Sequence, residues 1–174
     1  TLDGQGHTIC NLNSAFIEKL GENSILKNIT FKQVDLKEKF GLFYENNGKI
    51  QSISVKNVNV KNMNIEDIYK CGVIVKENYG KVEDCTVRDA DINTDLKVVA
   101  ITGVNEDGSI IDCSVSNADI KGSSAGVGGV CGESESGIIK SCTVKNSDLL
   151  GNNAIGGILG LSRSGDVRDC SVKD

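Results

Sequence analysis

Apolar and polar residues alternate along short segments of this chain, and the segments themselves recur. In residues 137–149, for example, apolar Ile139, Cys142 and Val144 are separated by polar residues. Alternation of this kind is typical of a β-strand with one buried face. The same order of residue types returns in segments 80–92, 108–120, 137–149 and 165–172. A short recurring unit predicts stacked structural repeats rather than separate domains.

The recurring cysteine aligns the whole chain. Counted back from the last copy, the aligned positions are 28, 29, 28, 32, 24 and 17 residues apart. We call this set the core column, and its members are Cys170, Cys142, Cys113, Cys85, Ile53, Ile29 and Leu12. The positions three residues before and two residues after it are apolar, except for Ser14. We therefore expect the core column to form a structural ladder inside about six to seven coils, most of them 24–32 residues long.

The composition also favours strands over helices. The 174 residues include 20 Gly and no Pro, and most of the glycines recur at fixed places in the repeat, as expected for turns between short strands. The best helical candidate, residues 16–20, is too short to persist alone. We predict an all-β fold with residues 1–174 as a single domain. Both chain ends interrupt the repeat, so we expect this domain to be a fragment of a longer protein.

The charge pattern narrows the classes of partner. The net charge of −5 is mild, and no apolar run approaches the length of a membrane span. We therefore expect no nucleic-acid partner and no membrane-spanning segment.

Two glycine-rich segments, each followed by a copy of the repeat, resemble the GLUG repeat. They are GGVCG at 128–132 followed by 137–144, and GGILG at 156–160 followed by 165–172. Residues 2–9 also resemble the opening of such arrays. This family occurs in large secreted or wall-attached bacterial proteins, including the N-terminal region of immunoglobulin A1-specific metalloendopeptidases. The resemblance implies a right-handed parallel β-helix with about one repeat per coil. Tyr44 and Val75 depart from the pattern, because they replace its second glycine.

Catalytic chemistry has little support in the sequence. A zinc peptidase needs two histidines one helical turn apart and a glutamate, but this chain has one histidine, His7, in a predicted turn. We expect no enzyme activity, no catalytic residues, no metal site and no cofactor.

The seven cysteines are an odd number, and no C-x-x-C motif is present. We expect the thiols of the core column to be reduced and buried, because free cysteine packs as a small apolar residue. Disulfides between adjacent coils and metal binding are the alternatives. Cys131 aligns with Ile74, Thr102 and Leu159, and we expect it to face the opposite way from Val130 and to be more reactive than the thiols of the core column.

Two sets of residues are candidates for ligand contact. Asp91, Asp119 and Asp148 recur six residues after the core column, together with Asp35 and Asn59. We call this set the acidic row. We interpret it as a solvated face, with a calcium site or a lyase or hydrolase site as alternatives. The aromatic candidates all lie in the N-terminal half, and they are Phe43, Tyr44, Tyr69 and Tyr79.

These observations favour a non-catalytic repeat module, namely a stalk, spacer or adhesion rod of a large bacterial cell-surface or secreted protein. The alternative is a carbohydrate-active β-helix that binds or cleaves polysaccharide. The expected partners are a host protein or a glycan, and the fragment is expected to self-associate end to end because open strand edges can pair with further strands.

Overall fold

The structure, a computed structural model, describes residues 1–36, 41–61, 70–95, 97–122 and 126–174. Within these ranges it contains β-strands and no α-helix, and the paired strands run parallel. The chain winds into a β-solenoid of about six turns. The predicted all-β parallel solenoid is therefore confirmed. Residues 16–20, dismissed as too short for a helix, contain the strand Ile17–Leu20, which pairs with Phe43–Asn46.

The strands are short, and each coil contributes several of them. In chain order they are β1 (Leu2–Asp3), β2 (Thr8–Cys10), β3 (Ile17–Leu20), β4 (Ile25–Asp35), β5 (Phe43–Asn46), β6 (Lys49–Lys61), β7 (Lys70–Gly72), β8 (Val75–Asn78), β9 (Lys81–Glu83), β10 (Thr86–Thr94), β11 (Lys97–Val99), β12 (Thr102–Asn105), β13 (Ser109–Ile111), β14 (Ser114–Gly122), β15 (Val127–Gly128), β16 (Cys131–Ser134), β17 (Ile138–Lys140), β18 (Thr143–Lys145), β19 (Asp148–Leu150), β20 (Ile155–Gly156), β21 (Leu159–Ser162), β22 (Asp166–Arg168) and β23 (Ser171–Lys173).

Three parallel sheets enclose the interior. The largest has 13 strands and contains the core column; a second has the order β21-β16-β12-β8-β5-β3; and a third has the order β20-β15-β11-β7. Neighbours within each sheet come from successive coils, so residues at one position of the repeat are stacked along the rod.

Two columns of left-handed residues bend the large sheet in each coil. One lies immediately before the core column and includes Asn28, Ser52, Asp84, Asp112, Ser141 and Asp169, all with positive φ. The other lies four residues after it and comprises Gln33, Asn57, Asp89, Asn117 and Asn146. Asn and Asp tolerate this conformation better than other side chains do. The polar residues of both columns therefore make the backbone bends.

The interior is filled by the apolar columns that the alternation predicts. Ile29, Ile53, Cys85, Cys113 and Cys142 of the core column are buried, and Cys170 in the last coil is partly exposed. In the first coils the partly buried Phe16 packs against the core, and its ring contacts those of Phe31 and Phe43 edge-on at centroid distances of 5.3 and 6.3 Å.

The predicted place of Leu12 in the core column is wrong. Ile9 pairs with Phe31 and Cys10 with Lys32, so Leu12 lies beside Val34 rather than beside Ile29. Leu12 is partly buried and packs against the edge of the core.

A turn at residues 3–7 causes the shift of the first coil. Gln5 and Gly6 have positive φ, and the Gln5 N–H donates to the Asp3 carboxylate at 2.9 Å. Gly4 crosses directly over Ile29, where a Cβ would lie 2.3 Å from Ile29 Cγ1. Backbone thus covers the core column in this coil, and no side chain of the first coil enters it.

Candidate functional site

The core column carries a stack of thiols between successive coils. The Sγ atoms of Cys113 and Cys142 donate to the carbonyl groups of Ile111 and Lys140 at 3.3 Å, just before each bend. All seven cysteines are free thiols. The stack is therefore a packing element whose thiols also have backbone acceptors.

Burial and neighbouring thiols set the acidity of these groups. Cys142 lowers the pKa of Cys113, but the thiol of Cys85 and burial raise it, and the net pKa lies well above the ordinary value. The hydrogen bond with Cys113 and burial raise the pKa of Cys142. These thiols stay protonated near neutral pH and are poor nucleophiles.

The prediction for Cys131 is wrong. Its side chain is fully buried, and burial raises the pKa of its thiol to about 12. It pairs with Thr102 and Leu159 in the second sheet, and its thiol donates to the Glu133 carbonyl at 3.2 Å. The alignment with Thr102 and Leu159 is correct, but the alignment with Ile74 is wrong, because Thr102 pairs with Val75. The alignment also did not reveal which side of the sheet this column faces. The exposed thiol is that of Cys10.

The aromatic candidates do not form one surface. Phe43 is fully buried in the core, so its prediction as a ligand contact is wrong. The Tyr44 hydroxyl accepts a 2.6 Å hydrogen bond from Lys76, and Tyr79 is 42% exposed. Tyr69 lies outside the described residues. Because the Phe43 ring is buried in the core, the aromatic candidates among the described residues form no continuous surface on which a sugar ring could stack.

The acidic row is stacked as predicted, with Asp91 beside Asp119 and Asp119 beside Asp148. Lysines accompany it: Lys61 Nζ lies 2.5 Å from Asp91 Oδ2, and Lys121 Nζ lies 2.6 Å from Asp119 Oδ2. The hydrogen bond to Asp119 and the nearby carboxylates raise the pKa of Lys121. Among the described residues, no group of three or more His, Cys, Asp or Glu side chains could hold a metal ion. Calcium binding by the acidic row therefore stays a prediction, and the described residues supply no group of ligands for it.

A buried asparagine ladder runs through the second sheet, and the sequence analysis missed it. Asn46 Nδ2 donates to Asn78 Oδ1 at 2.7 Å, and Asn78 Nδ2 donates to Asn105 Oδ1 at 2.8 Å. All three side chains are fully buried. The recurring pattern of Asn followed two or three residues later by Gly was the available signal. Gly108 is required there, because a Cβ would lie 2.2 Å from Asn78 Nδ2.

A buried carboxylate with two basic partners was also missed. The Glu133 side chain is 2% exposed; Arg163 Nε lies 2.8 Å from its Oε1, and Lys97 Nζ lies 3.5 Å from its Oε2. The hydrogen bond to Glu133 raises the pKa of Arg163. Glu133 shares its column with Glu45 and Glu77, but its immediate neighbours are Val104 and Leu161. The sequence did not show that this carboxylate is buried or that its basic partners come from distant positions in the chain.

The outer face of the large sheet carries a second unpredicted arrangement, which we call the hydroxyl–cation facet. Its hydroxyl column comprises Thr8, Thr30, Ser54, Thr86, Ser114, Thr143 and Ser171. Its cation column begins with the neutral Cys10 in the first coil and continues with Lys32, Lys56, Arg88, Ser116, Lys145 and Lys173, so Cys10 and Ser116 are its two neutral members. The basic column was visible in the sequence as a repeated outward position. The hydroxyl column becomes complete only with the corrected register of the first coil.

The surface of the rod has two shallow grooves that are relevant to binding. One of about 280 Å³ lies on the hydroxyl–cation facet and is lined by Ser54, Lys56, Thr86, Arg88, Ser114 and Ser116. The other, of about 420 Å³, lies over the first coils and is lined by Asn11, Asn13, Gln33, Val34, Asp35, Asn57 and Asn59. Both are rich in hydrogen-bonding groups and open to solvent, which suits binding of a polar polymer better than enclosure of a small substrate.

Comparison with known proteins adds no relative: no family model matches the chain, and no curated protein or solved structure matches it. The resemblance to the GLUG repeat therefore stays a prediction. Within the described ranges, no helix is long and apolar enough to cross a membrane. A solenoid fold by itself specifies no activity, so function has to be argued from the surface.

Proposed function

We propose that this chain is a non-catalytic repeat module, a stalk, spacer or adhesion rod, of a large bacterial cell-surface or secreted protein. The observation that carries the proposal is the regularity of the outer columns. In the described part of the large sheet, the same outward positions stack in one register from the first coils to the last. A catalytic site in a repeat protein is expected to interrupt such columns locally with a singular group of residues.

The arrangement of the carboxylates in the acidic row, and their ion pairs with lysines, support a non-catalytic role. Glycoside hydrolysis needs two carboxyl groups on opposite sides of a substrate, separated by several ångströms. Here the carboxylates stand side by side in one column, and Asp91 and Asp119 are each engaged by a lysine. The extracellular setting rests on the resemblance to the GLUG repeat and on the rod-like repeat itself.

The catalytic part of the proposal is tested by incubating the purified chain with a panel of neutral and acidic polysaccharides and with unfolded protein. We expect no product above background. Turnover that is lost in Asp119→Asn but kept in Asp166→Asn, a matched change in the exposed part of β22, would overturn the proposal. Sequencing the gene on both sides of this segment tests the location, since a secretion signal or a wall anchor is expected in the same reading frame.

A second candidate, a carbohydrate-binding β-helix, is favoured by the amide-lined groove over the first coils. Side-chain amides can both donate to and accept from sugar hydroxyls, and carboxylates accept from them. In that groove Asn59 Nδ2 donates to Asp35 Oδ1 at 3.0 Å, which fixes the orientation of both side chains. Retention of the chain on neutral polysaccharide, weakened by Asn13→Ala, would support this candidate.

A further inference from the structure

The hydroxyl–cation facet is an outer surface of the rod that the proposed module function leaves unexplained. Its hydroxyl column has seven members, which lie on seven successively paired strands of the large sheet. At a spacing of about 4.8 Å between neighbouring strands, six intervals extend over about 29 Å. Every member carries a hydroxyl group. The residues of a column that only contacts solvent need not share one functional group.

The hydroxyl groups interact along the column and remain able to bind outward. The Thr86 hydroxyl donates a 3.2 Å hydrogen bond to Ser54 Oγ. Thr143 Oγ1 and Ser171 Oγ lie 3.3 Å apart and are also hydrogen-bonded. Each hydroxyl has one donor and two acceptor sites, so one contact along the column leaves capacity for a ligand.

The cation column runs parallel to the hydroxyls, two residues further along each strand. Lys32, Arg88, Lys145 and Lys173 are exposed, and Lys56 is half-buried. Arg88 Nε lies 3.4 Å from the carboxylate of Asp89, a pair at the surface that solvent weakens. A groove of about 280 Å³ lies between the two columns over three coils, with Lys56 and Arg88 beside the hydroxyls of Ser54, Thr86 and Ser114.

We propose that the hydroxyl–cation facet binds a linear acidic polysaccharide lying along the rod axis. Its sulfate or carboxylate groups would sit beside Lys56 and Arg88 and would accept hydrogen bonds from the neighbouring hydroxyls. Hydrogen bonds from cations to such anions are stronger than those between neutral groups. The sugar hydroxyls between the acidic groups meet the Ser and Thr column. This inference names the partner of the proposed adhesion module and rests on that function.

The same facet is poorly suited to other polyanions. Nucleic-acid strands are bound through aromatic platforms as well as cations, and no member of either column is aromatic. Acidic side chains also flank the facet, with Asp84, Asp112 and Asp169 on one side and Asp89 on the other. A densely charged polymer would meet these carboxylates, whereas a polysaccharide with one acidic group per sugar or per pair of sugars can avoid them. An anionic membrane would need an apolar surface or a larger basic one.

The test measures binding of the 174-residue chain to heparin, to polygalacturonate, to neutral dextran and to single-stranded DNA at increasing salt. We expect binding to one or both acidic polysaccharides that weakens with salt, and none to dextran. The double variant Lys56→Gln/Arg88→Gln should bind roughly tenfold or more weakly. The matched control Lys61→Gln/Lys121→Gln removes the same charge beside the acidic row and should bind at least as tightly as the unchanged chain.

A second variant separates a built site from general charge attraction. Thr86→Val/Ser114→Ala keeps every charge and should also weaken binding, with thermal unfolding used to confirm that it is folded. Equal loss of binding in the two charge-removing double variants, no effect of removing the hydroxyls, stronger binding to DNA, or no binding to either acidic polysaccharide would each overturn the inference. Product release is followed in the same samples, so catalysis would contradict the proposed function without contradicting binding.

Discussion

The buried side-chain amide of Asn78 donates a 2.8 Å hydrogen bond to Oδ1 of Asn105 in the next coil, and its own Oδ1 accepts from Asn46. Asn78 therefore links three coils inside an otherwise apolar sheet. Its Nδ2 also lies 3.3 Å from the Gly80 carbonyl. Because each of these groups is removed from water, the ladder stabilises the rod only while every member is present.

Replacing Asn78 by Ala should lower the free energy of unfolding by about 2–4 kcal/mol, because it leaves a buried donor on Asn46 and a buried acceptor on Asn105 unpaired. Urea unfolding followed by circular dichroism measures the change. Asn93→Ala, at an exposed position of β10, is the control and should stay within about 0.5 kcal/mol of the unchanged chain. An equal loss in both variants would show that the ladder contributes nothing specific.

The asparagine ladder also shows where the sequence stops being informative. The core column was predictable because apolar residues recur where a strand faces inward, and Ile53 to Cys142 are buried as expected. Asn46, Asn78 and Asn105 are polar, and polar residues are expected on the outside. A buried polar residue is recognised only from its partner, which comes from another coil.

The errors in the first coil and at Cys131 have related causes. In residues 2–12 the apolar spacing fitted two registers, and only the turn at Gln5 and Gly6 decides between them. Ser14, the one polar residue in an apolar row, was the available warning. For Cys131, the glycine-rich neighbours Gly129 and Gly132 supply no side chains whose polarity could identify the buried face.

Changing Cys113 to Val should reduce the free energy of unfolding by less than about 1.5 kcal/mol, because the volume is nearly conserved. Changing it to Asp should cost several kcal/mol, since the carboxylate would be buried between the thiols of Cys85 and Cys142. Thermal or urea unfolding of the two variants compares the effects. Cys10→Asp is the matched control at an exposed thiol and should be close to neutral. Equal effects at Cys113 and Cys10 would contradict the buried thiol stack.

Thiol titration should distinguish the cysteines by burial. Without reductant, we expect seven reactive thiols in the denatured chain, with Cys10 reacting first in the folded one and Cys170 more slowly. Cys131 should be protected until the chain unfolds. Fewer than seven thiols after denaturation would indicate disulfides between coils. Labelling followed by peptide mass analysis identifies which cysteine has reacted.

The buried thiols should also make the rod less stable at alkaline pH. Burial raises the pKa of Cys71 and Cys131 from 9.0 to about 12, so the folded chain keeps both protons where the unfolded chain loses them. Their stabilisation is complete below pH 9 and is lost as pH rises towards 12, by up to about 1.4 kcal/mol per thiol and pH unit.

Urea unfolding at several pH values between 8 and 11 tests this dependence. The variant Cys71→Ala/Cys131→Ala should be less stable at pH 8 because of the cavities it creates, but its stability should fall less steeply with pH. The exposed variant Cys10→Ala should keep the steep dependence of the unchanged chain. Parallel slopes in all three proteins would show that these thiols do not control the alkaline transition.

The 174-residue chain should self-associate through the last coils at high concentration. Val172, Val167 and Ile155 are 55%, 44% and 46% exposed there, and they lie in the edge strands β23, β22 and β20. Both apolar side chains and unpaired parallel edges favour pairing with another strand. Sedimentation velocity over a range of concentrations should show larger species, and Val172→Lys should reduce them. Ile138→Lys places the same charge on an exposed side chain of β17, away from the open edge, and should leave association unchanged. A monomer at every concentration, or equal effects of the two lysines, would contradict association through this end.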